Sequence, residues 1–176
     1  MKTLLLSLLL ALPLAVPLNA QAEGKWLGTA APTIKLPDQD GKRRAVTDYK
    51  GKWVALYFYP RDKTAGCTEE AKKFSARWSD FQQANVMVIG VSQDSVASHK
   101  EFATLLKLPF PLLADEKAEL SKTMGVNRGF GAMSFSSRQT FLIDPEGTVV
   151  YHYPSVNTGT HAAQVLADVA RLSAKP

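Results

Sequence analysis

One thiol is available for chemistry in this sequence, because Cys67 is the only cysteine among 176 residues. A lone cysteine excludes an intrachain disulfide, a CxxC redox pair and a cysteine-rich zinc site. It is then either a buried, inert side chain or a reactive thiol, and its surroundings must distinguish the two. Pro60, Thr64 and Gly66 precede Cys67 in one short segment. Nucleophilic thiol chemistry is therefore the first hypothesis to weigh.

The neighbouring elements place Cys67 at the start of a helix. Residues 53–59 form an apolar run that ends at Pro60, which is typical of a strand buried on both faces. Apolar residues then recur at helical spacing at Ala71, Phe74, Trp78 and Phe81. Unpaired N–H groups in a first helical turn stabilise an anion, so a thiolate is favoured at Cys67. Reactive sites of open α/β sheets also collect at the carboxyl ends of strands.

Each neighbour of Cys67 admits a chemical and a structural interpretation. Pro60 stiffens the loop and could shield the sulfur, or it only ends the strand. Thr64 could place its hydroxyl beside the sulfur or its substrate, or it only caps the helix. Gly66 permits a close approach of another group to the backbone. Spacing alone leaves these alternatives open.

The rest of the chain predicts one α/β domain built on a mixed sheet that helices cover on both faces. Residues 24–50 are loop-rich and predict a short N-terminal hairpin or an extended lead-in. The elements predicted after the first helix are a strand at 86–91, a helix at 96–108, a short strand at 112–114, a short helix at 117–124, a hairpin of 139–144 with 148–153, and a closing helix through 163–172.

The first 22 residues predict a secretory signal peptide. Lys2 precedes an apolar run over residues 4–12, Pro13 follows that run, and Ala20-Gln21-Ala22 has the small-x-small pattern of a cleavage site. Cleavage after Ala22 would leave residues 23–176 as the domain. We therefore expect an exported, periplasmic protein; the alternative is an uncleaved membrane anchor.

Composition disfavours several other classes of function. The formal net charge is +5 and the basic clusters are short, so solvated faces explain them better than a nucleic-acid groove. His99, His152 and His161 lie on different predicted elements, which disfavours a histidine metal site. Phe130 and Phe135 could form an apolar rim beside a binding site, or they could belong to a packed loop or a dimer contact.

The spacing Pro60-x-x-x-Thr64-x-x-Cys67 resembles the PxxxTxxC motif of peroxiredoxins, thiol enzymes that reduce hydroperoxides. The stretch over residues 57–71 is similar to the peroxiredoxin Q subfamily, also called bacterioferritin-comigratory protein. The likeness extends to Arg138-x-Thr-Phe-Leu-Ile-Asp144 and spans essentially the whole predicted domain. It implies a thioredoxin-like fold and a reaction that needs no metal or organic cofactor.

The resemblance also implies roles for individual residues. The Cys67 thiolate would attack a hydroperoxide and become a sulfenic acid. Arg138 would meet the cysteine across the fold and polarise the peroxide. Thr64 and backbone N–H groups near Cys67 would orient the peroxide, with Gly66 close by. An apolar rim of Phe130 and Phe135 would admit organic hydroperoxides. Many peroxiredoxin Q members carry a second cysteine five positions after the first; here that residue is Lys72.

The missing second cysteine makes the reductant an external thiol. Candidates are glutathione, a glutaredoxin or an exported thioredoxin-like protein, acting on a monomer or weak homodimer. Two alternatives are a thiol-disulfide oxidoreductase, which the absence of CxxC disfavours, and a non-catalytic redox sensor or binding module.

Overall fold

A computed structural model describes residues 25–174 of the chain. The predicted signal peptide and its cleavage point lie outside the described residues. In chain order the strands are β1 Leu36–Pro37, β2 Arg43–Arg44, β3 Trp53–Phe58, β4 Val86–Ser92, β5 Leu112–Ala114, β6 Asn127–Arg128, β7 Phe135–Ser136, β8 Gln139–Ile143 and β9 Val149–Tyr153. The α-helices are α1 Ala65–Ala76, α2 Trp78–Gln83, α3 Val96–Leu106, α4 Glu119–Thr123 and α5 His161–Ser173.

A mixed sheet of five strands forms the centre of the fold, in the order β5-β4-β3-β8-β9. Strands β3, β4 and β5 run parallel, whereas β8 is antiparallel to β3 and β9 is antiparallel to β8. The parallel pairs β3–β4 and β4–β5 need helical crossovers, and the antiparallel pair β8–β9 needs only a turn, as the sequence pattern predicted. The short β1–β2 pair is the predicted N-terminal hairpin.

Strand β3 is buried on both faces, which explains its unbroken apolar sequence. One face contacts helices α1, α2, α3 and α5, and the other contacts α4 and the N-terminal segment. Alternate residues therefore point to opposite faces of the sheet. Ala55, Tyr57 and Tyr59 pack in the core beneath α1, α2, α3 and α5. Val54, Leu56 and Phe58 pack in the core beneath α4 and the N-terminal segment. The predicted two-layer covering of the sheet is confirmed.

Gly90 makes room for an aromatic ring in the middle of the sheet. It lies directly opposite Tyr57 in the β3–β4 register. A Cβ at position 90 would lie 2.8 Å from the Tyr57 ring and 2.6 Å from a methyl carbon of Leu112. The missing side chain lets Tyr57 stack on Phe74 of α1, with ring centroids 4.9 Å apart.

The apolar stripe that predicts one helix over residues 71–81 is divided between two helices. Arg77 separates α1 from α2, and its N–H bonds back to the carbonyls of Phe74 and Ser75. Both helices still direct the stripe inward, because Trp78 packs on Phe110 and Phe81 packs on Phe74. A break of one residue leaves the periodicity almost unchanged, so the pattern could not reveal it.

No helix within residues 25–174 has the length and apolar character that crossing a membrane requires.

Candidate active site

Cys67 is the third residue of α1, at the point where the chain returns from the carboxyl end of β3. Its side chain is 1% exposed. The N–H of Thr68 makes the first backbone bond of the helix, to the carbonyl of Thr64 at 2.9 Å. The N–H groups of Ala65, Gly66 and Cys67 come before that bond and have no acceptor within the helix. They can therefore donate to an anion or to a polar substrate beside the sulfur.

Arg138 brings a positive charge to the sulfur from the other side of the site. Its Nη2 donates to Cys67 Sγ at 3.1 Å. Residue 138 directly precedes β8, and β8 pairs with β3 so that Gln139 faces Phe58. This register places Arg138 beside the carboxyl end of β3, where the chain continues into α1. Gly66 leaves space for the contact, since a Cβ there would lie 3.3 Å from Arg138 Nη2.

Glu70 is a site residue that the sequence interpretation did not identify. Its Oε2 accepts a hydrogen bond from Arg138 Nη1, and its side chain is 1% exposed. Burial raises the pKa of Glu70 to about 7, against the opposing attraction of Arg138. One signal was present in the sequence, because positions 67, 70, 71 and 74 share one face of a helix. A glutamate on that apolar face requires a buried partner.

Thr64 occupies the N-cap position of α1, but its side chain makes no capping bond to the helix. Its hydroxyl donates to the carbonyl of Arg61 at 3.0 Å. Because the hydroxyl proton is used in this way, Oγ1 is left as an acceptor for a donor such as the O–H of a peroxide. Pro60 is half-buried and lies two residues after the end of β3. Its shielding of the sulfur stays a prediction.

The two phenylalanines proposed as an apolar rim lie in different surroundings. Phe130 is 93% exposed between β6 and β7, so it is not part of a packed loop. It shares a surface cleft with Pro60. Phe135 is 39% exposed, pairs with Arg128 in the β6–β7 hairpin, and directly follows Ser134 of the cleft lining. A role for either ring in binding organic hydroperoxides stays a prediction.

A buried polar network anchors the loop that leads to Cys67. Asp62 accepts from the Tyr59 hydroxyl at 2.7 Å and lies 2.8 Å from His99 Nδ1. Burial acts to raise the pKa of Asp62, but hydrogen bonds from His99, Tyr59 and Ser98 outweigh it, so the pKa is lowered. Asp62, Asp94 and His99 present possible metal-ligand atoms within 4.8 Å of one another. Both ring nitrogens of His99 are already used, the second by the carbonyl of Leu113 at 3.2 Å.

His161 is a second buried histidine near the site, at the start of α5. Its Nε2 lies 2.8 Å from the hydroxyl of Thr140. Burial, with a further contribution from Arg138, lowers the pKa of His161 to about 4. The ring is therefore neutral at physiological pH.

A sequence profile of the AhpC/TSA family matches residues 27–152. The chain belongs to the AhpC/TSA family. Within this family it is similar to peroxiredoxin Bcp of Bacillus subtilis (strain 168), at 37% identity over 153 residues that cover 85% of this chain and 98% of that protein. It is 45% identical over 127 residues to the chloroplastic peroxiredoxin Q of Oryza sativa subsp. japonica, covering 72% of this chain and 58% of that protein.

A solved structure extends the likeness to three dimensions. Xanthomonas campestris bacterioferritin comigratory protein, studied for its alkyl peroxide reduction activity, matches with a TM-score of 0.75 and 33% identity, covering 80% of this chain and 92% of that one. The resemblance to the peroxiredoxin Q group and the thioredoxin-like fold are thus confirmed. This AhpC/TSA member is a thiol-dependent peroxidase.

Proposed function

We propose that Cys67 is the peroxidatic nucleophile and that an external thiol, not a second cysteine of the chain, completes the cycle. The observation that carries the first part is the 3.1 Å contact between Arg138 Nη2 and Cys67 Sγ. A guanidinium stays protonated, so it favours the thiolate over the thiol at this position. The free N–H groups of the first turn of α1 act in the same direction.

The peroxide step transfers one oxygen atom to the sulfur. The Cys67 thiolate attacks the terminal oxygen of the hydroperoxide, an S–O bond forms, and the O–O bond breaks. The leaving alkoxide or hydroxide takes a proton and departs as alcohol or water, and Cys67 becomes a sulfenic acid. Arg138 stabilises the charge that develops on the leaving oxygen. Thr64 accepts from the peroxide O–H, and the N–H groups of Gly66 and Cys67 donate to its oxygens, which fixes the line of attack.

An external thiol must then reduce the sulfenic acid, because Cys67 is the chain's only cysteine and Lys72 occupies the position five residues later. Lys72 is exposed on α1. Glutathione, a glutaredoxin or a thioredoxin-like protein would suit a monomer or weak homodimer.

The peroxide step is tested by mixing reduced protein with substoichiometric hydrogen peroxide and following tryptophan fluorescence by stopped flow, with sulfenic acid trapped by dimedone. The wild type should react far faster than free cysteine. Cys67→Ser should not react, and Arg138→Ala should lose about 100-fold or more in rate constant. Arg171→Ala, which removes an exposed arginine of α5, is the matched control. A wild-type rate no faster than that of a free thiol would contradict the proposal.

We also propose that the protein works after export, as the first 22 residues suggest. Mass spectrometry of the protein recovered from a periplasmic fraction tests this. A mature chain that begins at Glu23 is the expected result, and a full-length chain confined to the cytoplasm would contradict it.

A further inference from the structure

A cleft of about 490 Å³ opens at the same edge of the sheet as the Cys67 helix. Three parallel strands end at this edge, and the residues that follow each of them line the cleft. Arg61 follows β3, Asp94 follows β4, and Lys117 follows β5. Ligands of open α/β sheets bind outside the carboxyl ends of their strands, and the volume is in the range of small-molecule sites.

The cleft lining carries more positive than negative charge. Arg61, Lys117 and Lys122 line it, and none of them forms an ion pair within residues 25–174. Two carboxylates, Asp94 and Glu116, lie in the same lining. Unpaired cations around a concave surface attract anionic ligands, and the carboxylates offer a place for an ammonium group.

The cleft is joined to the active site through one wall. The carbonyl of Arg61 accepts the Thr64 hydroxyl, and Thr64 is the N-cap of the helix that carries Cys67. The lining also includes Gln93 and Asn127, and the side-chain amide of Gln93 donates to the side-chain oxygen of Asn127 at 2.8 Å. A molecule in this cleft therefore lies along the loop that leads to the reacting sulfur.

We propose that this cleft binds the reducing thiol, and that this thiol is a small zwitterion with more carboxylates than ammonium groups, of the glutathione class. The inference rests on the proposed need for an external thiol. The fixed cations would hold the carboxylates, and Asp94 or Glu116 would hold the ammonium. The alkyl tail of an organic hydroperoxide could contact Phe130 and Pro60, but it would leave the five charged side chains of the lining without a partner, so the lining favours the thiol as occupant.

The chemistry consumes two thiols in each turnover. The thiolate of the first attacks Cys67 Sγ of the sulfenic acid, an S–S bond forms, and the S–O bond breaks with loss of hydroxide, which is protonated to water. The thiolate of the second attacks the outer sulfur of this mixed disulfide and releases Cys67 as a thiolate. The two small thiols are oxidised to one disulfide, and the hydroperoxide is reduced to alcohol and water.

The test separates the two half-reactions in the full protein. Cys67 sulfenic acid is formed with one equivalent of hydrogen peroxide and then mixed with glutathione, with uncharged dithiothreitol, or with cationic cysteamine. The variant is Lys117→Gln with Lys122→Gln, which removes two cations from the cleft. The matched control is Lys50→Gln with Lys52→Gln, which removes two exposed cations just before the amino end of β3, at the opposite edge of the sheet.

We expect the double variant to reduce the rate constant for glutathione about tenfold and to weaken its dependence on salt, because two attractive charges are lost. The rates with dithiothreitol and with hydrogen peroxide should stay unchanged, as should every rate of the control with Lys50→Gln and Lys52→Gln. An unchanged glutathione rate would overturn the proposal, and so would an equal loss with all three thiols. A selective loss with organic hydroperoxides would show that the cleft receives the peroxide instead. A wild type that forms no sulfenic acid would contradict the proposed function itself.

Discussion

At the scale of single residues, Arg138 donates to two acceptors with different roles: one is the reacting sulfur, and the other holds the arginine in place. One arm of its guanidinium donates to the Cys67 sulfur at 3.1 Å and the other to the Glu70 carboxylate. The planar fork lets one side chain hold both groups in fixed directions, which an ammonium group on a flexible stem cannot do. Glu70 thus orients the arginine that acts on the thiolate.

Arg138→Lys should therefore lose most of the peroxide reactivity although the charge is kept. We expect the second-order rate constant of Cys67 with hydrogen peroxide to fall by roughly 100-fold, as measured by stopped flow. Arg171→Lys, on the exposed face of α5, should react like the wild type. A lysine variant with full activity would show that charge alone, without the fork, is enough.

At the scale of elements, the first turn of α1 is shaped to admit the guanidinium. Gly66 is the second residue of the helix, and alanine would form a helix more readily than glycine. A Cβ at this position would lie 3.3 Å from Arg138 Nη2, closer than most side chains tolerate. Helix stability and access to the sulfur therefore favour different residues at position 66.

Gly66→Ala should separate these two effects. We expect the free energy of unfolding to stay equal or to rise by up to about 0.5 kcal/mol, because alanine is the better helix former. The rate constant with peroxide should fall roughly tenfold, because the arginine is displaced. Ala76→Gly, at the exposed end of the same helix, should lower stability and leave the rate unchanged. Denaturant unfolding and stopped-flow kinetics measure the two quantities.

The elements of this fold could be predicted wherever their signal was local. The apolar run of β3 and the helical spacing after it predicted Cys67 in the first turn of a helix, and that is its position. The contact of Arg138 with Cys67 spans 71 positions, so only the family resemblance predicted it. Glu70 was missed because a charged side chain does not add to an apolar pattern. The cleft was missed because it is formed by loops from separate parts of the chain.

At the scale of the whole molecule, two buried groups change the free energy of unfolding in opposite directions as the pH rises. The pKa of Glu70 is raised from 4.5 to about 7, so the folded protein holds one more proton than the unfolded chain in this range. The free energy of unfolding then decreases as pH rises. The pKa of His161 is lowered from 6.5 to about 4, so the unfolded chain holds the additional proton and the free energy of unfolding increases with pH.

Because the two windows overlap between pH 4.5 and 6.5, the contributions of Glu70 and His161 should nearly cancel. Glu70→Gln should make stability rise relative to the wild type as pH increases through this window, and His161→Gln should make it fall. Each effect is on the order of 3 kcal/mol across its full range. Urea unfolding at a series of pH values measures both. Parallel curves for either variant and the wild type would show that the group titrates normally in the folded state.

The space left by Gly90 has a consequence for how this protein can evolve. The Tyr57 ring and the Leu112 methyl both lie closer to the site of a Cβ than real side chains approach. A mutation of Gly90 alone should therefore be selected against. The same change becomes acceptable only in a lineage where positions 57 and 112 have both already become smaller. The Tyr57 ring also stacks on Phe74 of the helix that carries Cys67. The order in which these substitutions occur therefore restricts which residues can replace one another in the core beneath the active site.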